Sequence, residues 1–289
     1  MLRCARMSAN WNSLRTICYA ADMAELTFSS RTPSRALNGL IARVSGYCSK
    51  RERSNSVEAA ELVFPLVFNL GERWDIRLGH EGDAYRSSSF TAGLFPGPVA
   101  VSCDAGADLI QIDLTPLGAA RLFGGAAAEL AAKVVDLSTV DRFGGEYEAL
   151  HDQLHAATDW QARFDLVERF LAPRFCHANS KRVQQSWHFL AQGKTVSETA
   201  AAVGWSTRHL SAQFRQETGI RPVTAARMLR FQRARALAIQ CGKLNWAEIA
   251  AMTGYSDQAH LIREFHDFAG EPPTAWARRE RPSEPRLHI

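Results

Sequence analysis

Ala247-Glu-Ile-Ala-Ala-Met-Thr-Gly-Tyr-Ser256 repeats, fifty residues on, the pattern of Ser197-Glu-Thr-Ala-Ala-Ala-Val-Gly-Trp-Ser206. Leu210, Phe214, Gly219 and Pro222 return as Leu261, Phe265, Gly270 and Pro273, 51 residues later, so the second copy carries one extra residue. Each copy has the grammar of a helix-turn-helix unit. Ala200–Ala201 and Ala250–Ala251 are small, which lets a second helix approach closely. Gly204 and Gly254 supply the left-handed backbone of a tight turn. Ser206 and Ser256 are expected to cap the next helix, and Asn245 with Glu248 resembles a capping box. Leu210/Phe214 and Leu261/Phe265 sit at i, i+4 and fix one face of each second helix to the core.

The opposite face is left for a groove. In the first copy it carries Thr207, Arg208, Ser211, Ala212 and Arg215. In the second it carries Gln258, Ala259, His260, Ile262 and Arg263. Arginine can pair with guanine, glutamine with adenine, and Ile or Ala can meet a thymine methyl. Glu217 and Glu264 lie off the centre of these faces by helical phase, so the faces are polar and nearly free of carboxylates. A solvated helical scaffold is the bland alternative, but two tandem units at matched spacing argue against it.

Between the copies, Pro222–Gln240 reads as one long helix with Met228, Leu229, Phe231, Ala234 and Leu237 apolar and Arg227, Arg230, Arg233 and Arg235 charged. It would set the distance between the two second helices, which must be about 34 Å to enter successive major-groove segments on one DNA face.

Charge follows the same division. Residues 1–53 are net +6, residues 54–173 net −10, and residues 174–289 hold seventeen Lys/Arg against nine Asp/Glu, net +8. The basic third is the part suited to a polyanion.

With these residues in view, 181–280 resembles the DNA-binding domain of the AraC/XylS family of bacterial transcription regulators. The second copy carries the resemblance in Ile249-Ala250, Gly254-Tyr255-Ser256-Asp257-Gln258, His260-Leu261, Phe265 and Gly270-x-x-Pro273. The first copy matches in Ala200, Gly204, Ser206, Leu210, Phe214, Gly219 and Pro222. Ala226 departs from the aromatic usual near that position. The resemblance implies base or backbone contacts from Arg208, Ser211 and Ala212 in the first unit and from Gln258, His260, Ile262 and Arg263 in the second.

The N-terminal half reads as mixed β and α. Leu62–Leu70, Val99–Val101 and Leu109–Leu114 read as strands, with Asp104–Ala105–Gly106 as a hairpin turn between the last two. Leu117–Phe123, Ala126–Lys133, Tyr147–His155 and Trp160–Leu171 read as helices, closed by Pro173. Phe90-x-x-Gly93 to Val101, Leu109–Leu114, Pro116-x-Gly118 and Leu122–Gly124 look like the sensor domains of some AraC-like regulators. That implies either a cupin-like β-barrel followed by helices or a smaller open sheet. The expected fold is thus an α+β N-terminal domain followed by an all-α domain of two helix-turn-helix units joined by a long helix. The expected divisions are a poorly defined basic segment at 1–53 with 1–22 disordered, a sensor or dimerisation domain at 54–172, the DNA-binding domain at 181–280, and a tail at 281–289. Arg3, Arg6 and Arg15 without an acid in 1–21 loosely resemble a transit peptide, but a disordered extension with Met23 as an alternative start is the simpler reading.

Composition excludes several classes. With 46% hydrophobic and 22% charged residues, the chain is neither disordered nor a coiled coil. No apolar run reaches the roughly 18 residues of a membrane helix. Cys4, Cys18, Cys48, Cys103, Cys176 and Cys241 form no C-x-x-C pair, so neither zinc nor a disulfide framework is expected, and a reducing cytoplasm is. An alkyl-transfer domain fused to such a regulator would need a cluster of four cysteines, which the sequence lacks. Gly124-Gly125 and Gly144-Gly145 lack the phosphate-loop pattern. His151 and His155 have metal-ligand spacing, but Glu148 and Asp152 beside them suggest a solvated face, and His80 reads as a loop residue. No catalytic residue, metal or cofactor is expected. The expected partners are double-stranded promoter DNA, RNA polymerase for an activator, a second copy of the chain, and an unknown effector, with no membrane.

Overall fold

In the computed structural model, residues 26–49, 54–104, 106–178, 180–240 and 245–280 are described. The 1–22 extension, Met23 and the 281–289 tail lie outside the described residues, as does Ala105 of the expected turn. The N-terminal half of the described residues holds ten strands: β1 (Leu26–Arg31), β2 (Ile41–Ser49), β3 (Ser54–Glu58), β4 (Phe64–Asn69), β5 (Trp74–Leu78), β6 (Ala84–Ser87), β7 (Phe90–Ala92), β8 (Val99–Cys103), β9 (Ala107–Leu114) and, after two helices, β10 (Val134–Asp136). They form a six-stranded sheet in the order β1-β2-β9-β4-β7-β10 and a four-stranded sheet in the order β3-β8-β5-β6.

The central strand β9 explains the layering. Ile110, Ile112 and Leu114 point to one face and are fully buried with Phe64, Leu66 and Phe68 of the neighbouring β4. Helices cover that face: α1 (Pro116–Phe123), α2 (Ala126–Glu129), α3 (Glu146–Ala156) and α4 (Trp160–Leu171). Ala107 and Leu109 point the other way and meet Trp74 and Ile76 of the smaller sheet. Each buried Leu, Ile or Phe among these contributes about 1.5–3 kcal/mol by leaving water.

The α+β domain followed by an all-α domain is as expected; one open alternative is decided and three expectations are corrected. The 1–53 segment supplies β1 and β2, and β2 pairs along its length with β9, so the sheet begins well before residue 54. No closed barrel forms among the described residues. The strands split into two separate sheets that meet face to face through an apolar layer. The expected hairpin between Val99–Val101 and Leu109–Leu114 does not form, because β8 pairs with β3 and β5 while β9 pairs with β2 and β4. The turn after Cys103 carries the chain from one sheet to the other. The helix expected at Ala126–Lys133 ends at Glu129. Ala132 then takes a left-handed backbone (φ 54°), and Val134–Asp136 becomes an edge strand on β7.

Beyond Arg174 every described element is helical: α5 (Lys181–Ala191), α6 (Val196–Ala202), α7 (Thr207–Thr218), α8 (Pro222–Gln240), α9 (Trp246–Thr253), α10 (Gln258–Ala269) and α11 (Pro273–Glu280). Ala225, Met228, Phe231, Ala234 and Ala238 give α8 a buried stripe that serves both units. No helix among the described residues is long and apolar enough to cross a membrane.

Candidate nucleic-acid interface

The two units are built alike. Thr195 and Glu198 form a reciprocal capping box at the start of α6, with Glu198 Oε2 accepting from the Thr195 N–H at 2.8 Å. Asn245 accepts from the Ala247 and Glu248 amides at the start of α9, making only its own half of the expected box there. Gly204 (φ 70°) and Gly254 (φ 83°) turn left-handed. The next amide then bonds back into the helix in both copies: Trp205 N–H to Ala200 O at 2.9 Å and Tyr255 N–H to Ala250 O at 3.0 Å. Leu210, Phe214, Leu261 and Phe265 are all fully buried.

The caps of the second helices differ, correcting one expectation. Ser206 caps α7 through the His209 amide at 3.2 Å, but Asp257, not Ser256, caps α10 through the His260 amide at 2.7 Å. The extra residue of the second copy falls between Ser256 and Leu261, so the cap moves one place to keep its distance from the buried leucine. The His260 amide holds the Asp257 carboxyl below the usual range, and its charge faces the positive end of the helix.

Thr207, Arg208, Ala212, Arg215, Gln258 and Arg263 are exposed, and Ser211, His260 and Ile262 are half-buried. Arg208, Arg215 and Arg263 make no ion pair among the described residues, so three guanidinium groups stand on these faces in water. His260 is held differently. Its Nδ1 lies 3.2 Å from Ser256 Oγ, its Nε2 3.4 Å from Arg230, and its ring stands edge-on to Tyr255.

That histidine borders a charge cluster built on the buried Glu264. Glu264 accepts from Arg227 Nε at 2.9 Å and from Arg230 Nη2 at 2.6 Å, and Arg227 also reaches Asp267 at 2.7 Å. Burial pushes the Glu264 carboxyl up, but the Arg230 and Arg227 hydrogen bonds outweigh it and hold the group below its ordinary value. Three of the four arginines of the long helix are thus ion-paired: Arg227 and Arg230 clamp α10 to α8, and Arg235 pairs with Glu61 of the N-terminal domain at 3.5 Å, while Arg233 is exposed.

The two outer faces have unequal access. Ala212, Arg215 and Gln216 share a cleft with Ala128, Glu129, Ala131 and Lys133. Gly219 lies so close to this segment that a Cβ there would stand 2.5 Å from the Ala131 Cβ. The N-terminal domain thus stands beside the C-terminal half of α7. It meets the second unit elsewhere, where the Ala60 N–H donates to Phe268 O at 2.7 Å and Arg279 Nη1 donates to Val57 O at 3.0 Å. These joins were not legible in the sequence, since nothing local marks residues 57–61 as a contact. In the N-terminal half, His151 Nε2 lies 3.1 Å from the Asn69 carbonyl, and no group of three or more His, Cys, Asp or Glu among the described residues could hold a metal ion.

Tandem helix-turn-helix units with basic outer faces define a nucleic-acid-binding class of protein. The family model described as a helix-turn-helix domain matches residues 199–279. Among solved structures, the chain is similar to ToxT from Vibrio cholerae, at 7% identity and a TM-score of 0.45 over 79% of this chain and 98% of that one. It is similar to the C-terminal domain of AraT, a response regulator from Geobacillus stearothermophilus, at 24% identity and a TM-score of 0.35 over 38% and 94%. A probable AraC family transcriptional regulator from Rhodopseudomonas palustris is similar at 26% identity and a TM-score of 0.32 over 36% and 100%. No curated protein matches the chain.

Proposed function

We propose that the chain is a sequence-specific transcription regulator that reads promoter DNA with α7 and α10 in successive major-groove segments. The observation that carries this reading is the repeated unit itself, with Arg208, Arg215 and Arg263 exposed on the outer faces. In the first unit, Arg208 is the long base reader; Thr207, Ser211 and Ala212 fit close against the groove, and Arg215 meets bases or phosphate. In the second, Gln258, Ile262 and Arg263 reach the bases, and His260 does so from the edge of the Glu264 cluster. The N-terminal domain is the regulatory part. An effector bound there changes DNA binding only by favouring one arrangement of the two domains over another. A second copy of the chain, RNA polymerase where it activates, and the cytoplasm with its nucleoid complete the reading.

The test is a genome-wide binding map of the full-length protein in its native cell. Discrete promoter-proximal peaks sharing a bipartite motif are expected. In purified form, affinity should fall with salt at a log–log slope of about −0.9 for each phosphate neutralised. No peaks and no salt-dependent binding would refute the reading and leave a helical interaction scaffold.

A further inference from the structure

Arg233, exposed on α8, makes no ion pair among the described residues. Its place in the fold follows from its neighbours on the same helix. Arg227 meets Asp267 and Glu264, and Arg230, one turn on, meets Glu264 and His260. The helices α8 and α10 therefore run antiparallel. The next turn of α8, which holds Arg233, comes abreast of the N-terminal end of α10. That is the end a recognition helix directs at base edges. On its other side Arg233 meets the first unit. A Cβ at Gly193, in the turn before α6, would stand 3.4 Å from Arg233 Nη1. The guanidinium thus lies at the seam of the two units.

Its charge is unanswered there. Arg233 Nε donates to the Leu229 carbonyl at 3.3 Å, which pins the side chain along α8 but brings no negative charge. Partial desolvation, and after it the Arg230 guanidinium one turn earlier, press the group below its ordinary range, and Tyr255 opposes them. Arginine stays cationic at neutral pH all the same. A second cation stands beside it. Lys194, next to Gly193, is exposed and forms no ion pair among the described residues, with its Nζ 4.1 Å from the centre of the Phe189 ring. The acids at the starts of α6 and α10 are engaged as caps. Glu198 is held low first by the Thr195 amide, then by the Thr195 hydroxyl, and least by Lys194, and Asp257 accepts from the His260 amide. Two cations at one seam suit an anionic partner that spans both units.

We propose that Arg233 and Lys194 form a clamp for DNA phosphates at the seam between the two helix-turn-helix units. With α7 and α10 in successive major-groove segments, the minor groove between those segments faces the seam. The clamp grips the backbone that borders this groove. It fixes where both helices sit along the duplex and reads no base. Its role differs from that of Arg208, Arg215 and Arg263, which stand on the outer faces of α7 and α10. The clamp rests on the reading of the chain as a DNA-binding regulator.

The test uses the full chain and a mixed-sequence duplex of about three helical turns, long enough for both units. Affinity is followed by fluorescence anisotropy over a series of salt concentrations. Arg233→Gln should flatten the log–log salt slope by about 0.9, and Lys194→Gln by about as much, one phosphate contact each. Arg169→Gln removes the same charge from an exposed position on α4 and should leave the slope unchanged. Sites that the wild type and Arg233→Gln select from a randomised library should share one motif, because a phosphate contact carries no sequence. Hydrogen exchange in α8 and α10 should also match, since no ion pair is lost. A slope unchanged in either variant, an equal change in Arg169→Gln, or a motif altered at one position would overturn the clamp. So would faster exchange in α8 or α10 of Arg233→Gln, which would make the arginine a prop between the units. A wild type without salt-dependent binding fails the regulator reading and the clamp with it. A wild type that binds, with variants that keep its slope, fails the clamp alone.

Discussion

Replacing Glu264 with Gln removes one negative charge from between two guanidinium groups and almost no volume. The Glu264 side chain is 2% exposed, against 39% for Arg227 and 23% for Arg230. Breaking a fully buried ion pair costs about 3–5 kcal/mol. Here both arginines can turn partly into water and Arg227 keeps Asp267, so the expected loss is smaller, about 2–3 kcal/mol. Most of it should fall on α10, since Glu264 is the anchor that holds this helix to α8. Hydrogen exchange read by mass spectrometry should show α10 amides opening about 30- to 150-fold more often, the equivalent of that energy. The peptides of α6 and α7 should change far less. The pH dependence has a definite sign. The folded Glu264 carboxyl titrates below its unfolded value, so its stabilisation is present above about pH 4.3 and is lost as pH falls through the folded value. The wild type should therefore destabilise on acidification more steeply than the Gln variant. An α10 exchange rate changed less than threefold, with identical acid slopes, would refute the view that this cluster holds the second unit together.

Three further outcomes are expected. Arg263→Ala should cost about 1–3 kcal/mol of DNA affinity and relax specificity at one base position, measured by binding to a randomised site library; an equal loss on every sequence would make Arg263 a phosphate contact. Gly204→Val places a β-branched residue at φ 70° and should unfold the first unit, seen as lost protection of α6 and α7, whereas unchanged protection would remove the turn argument. Ala131→Leu adds bulk where Gly219 leaves no room and should push the N-terminal domain off α7, tightening DNA binding several-fold in a gel-shift titration; weaker binding would count against α7 being covered.

The helical domain was legible because its information is local. Leu210/Phe214 and Leu261/Phe265 repeat at helical spacing, and all four are buried as that spacing requires. Helical phase also took Glu264 off the outer face, but not to its partners, which lie 34 and 37 residues away on another helix. The same limit hid the tether on His260, since Arg230 sits 30 residues from it. The strands at Phe64–Asn69 and Ala107–Leu114 were visible as apolar runs. Their pairing was not, because turn chemistry at Asp104 reports that the chain bends, not which sheet the next strand joins. β1 and β2 were missed where Arg31, Arg35 and Arg43 made the segment look merely basic. In the folded chain Arg31 pairs with Asp165 and Glu168, and Arg43 with Asp113 and Glu61.

The second helices of the two units, α7 and α10, are equivalent in sequence grammar but not in position. Around α10 the N-terminal domain touches the inner side, through Ala60 on Phe268 and Glu61 on Arg235, and Gln258 and Arg263 remain exposed. Around α7 it stands on the outer side, where Arg215 and Ala212 share their cleft with Glu129 and Lys133. A duplex running along the whole of α7 needs the space this segment occupies. One rigid movement of the N-terminal domain would therefore affect the units differently, uncovering the outer face of the first while loosening the inner support of the second. Control of such a protein does not require each helix-turn-helix unit to refold. It requires only that the 57–61 joint and the Gly219–Ala131 contact not be satisfied together with DNA.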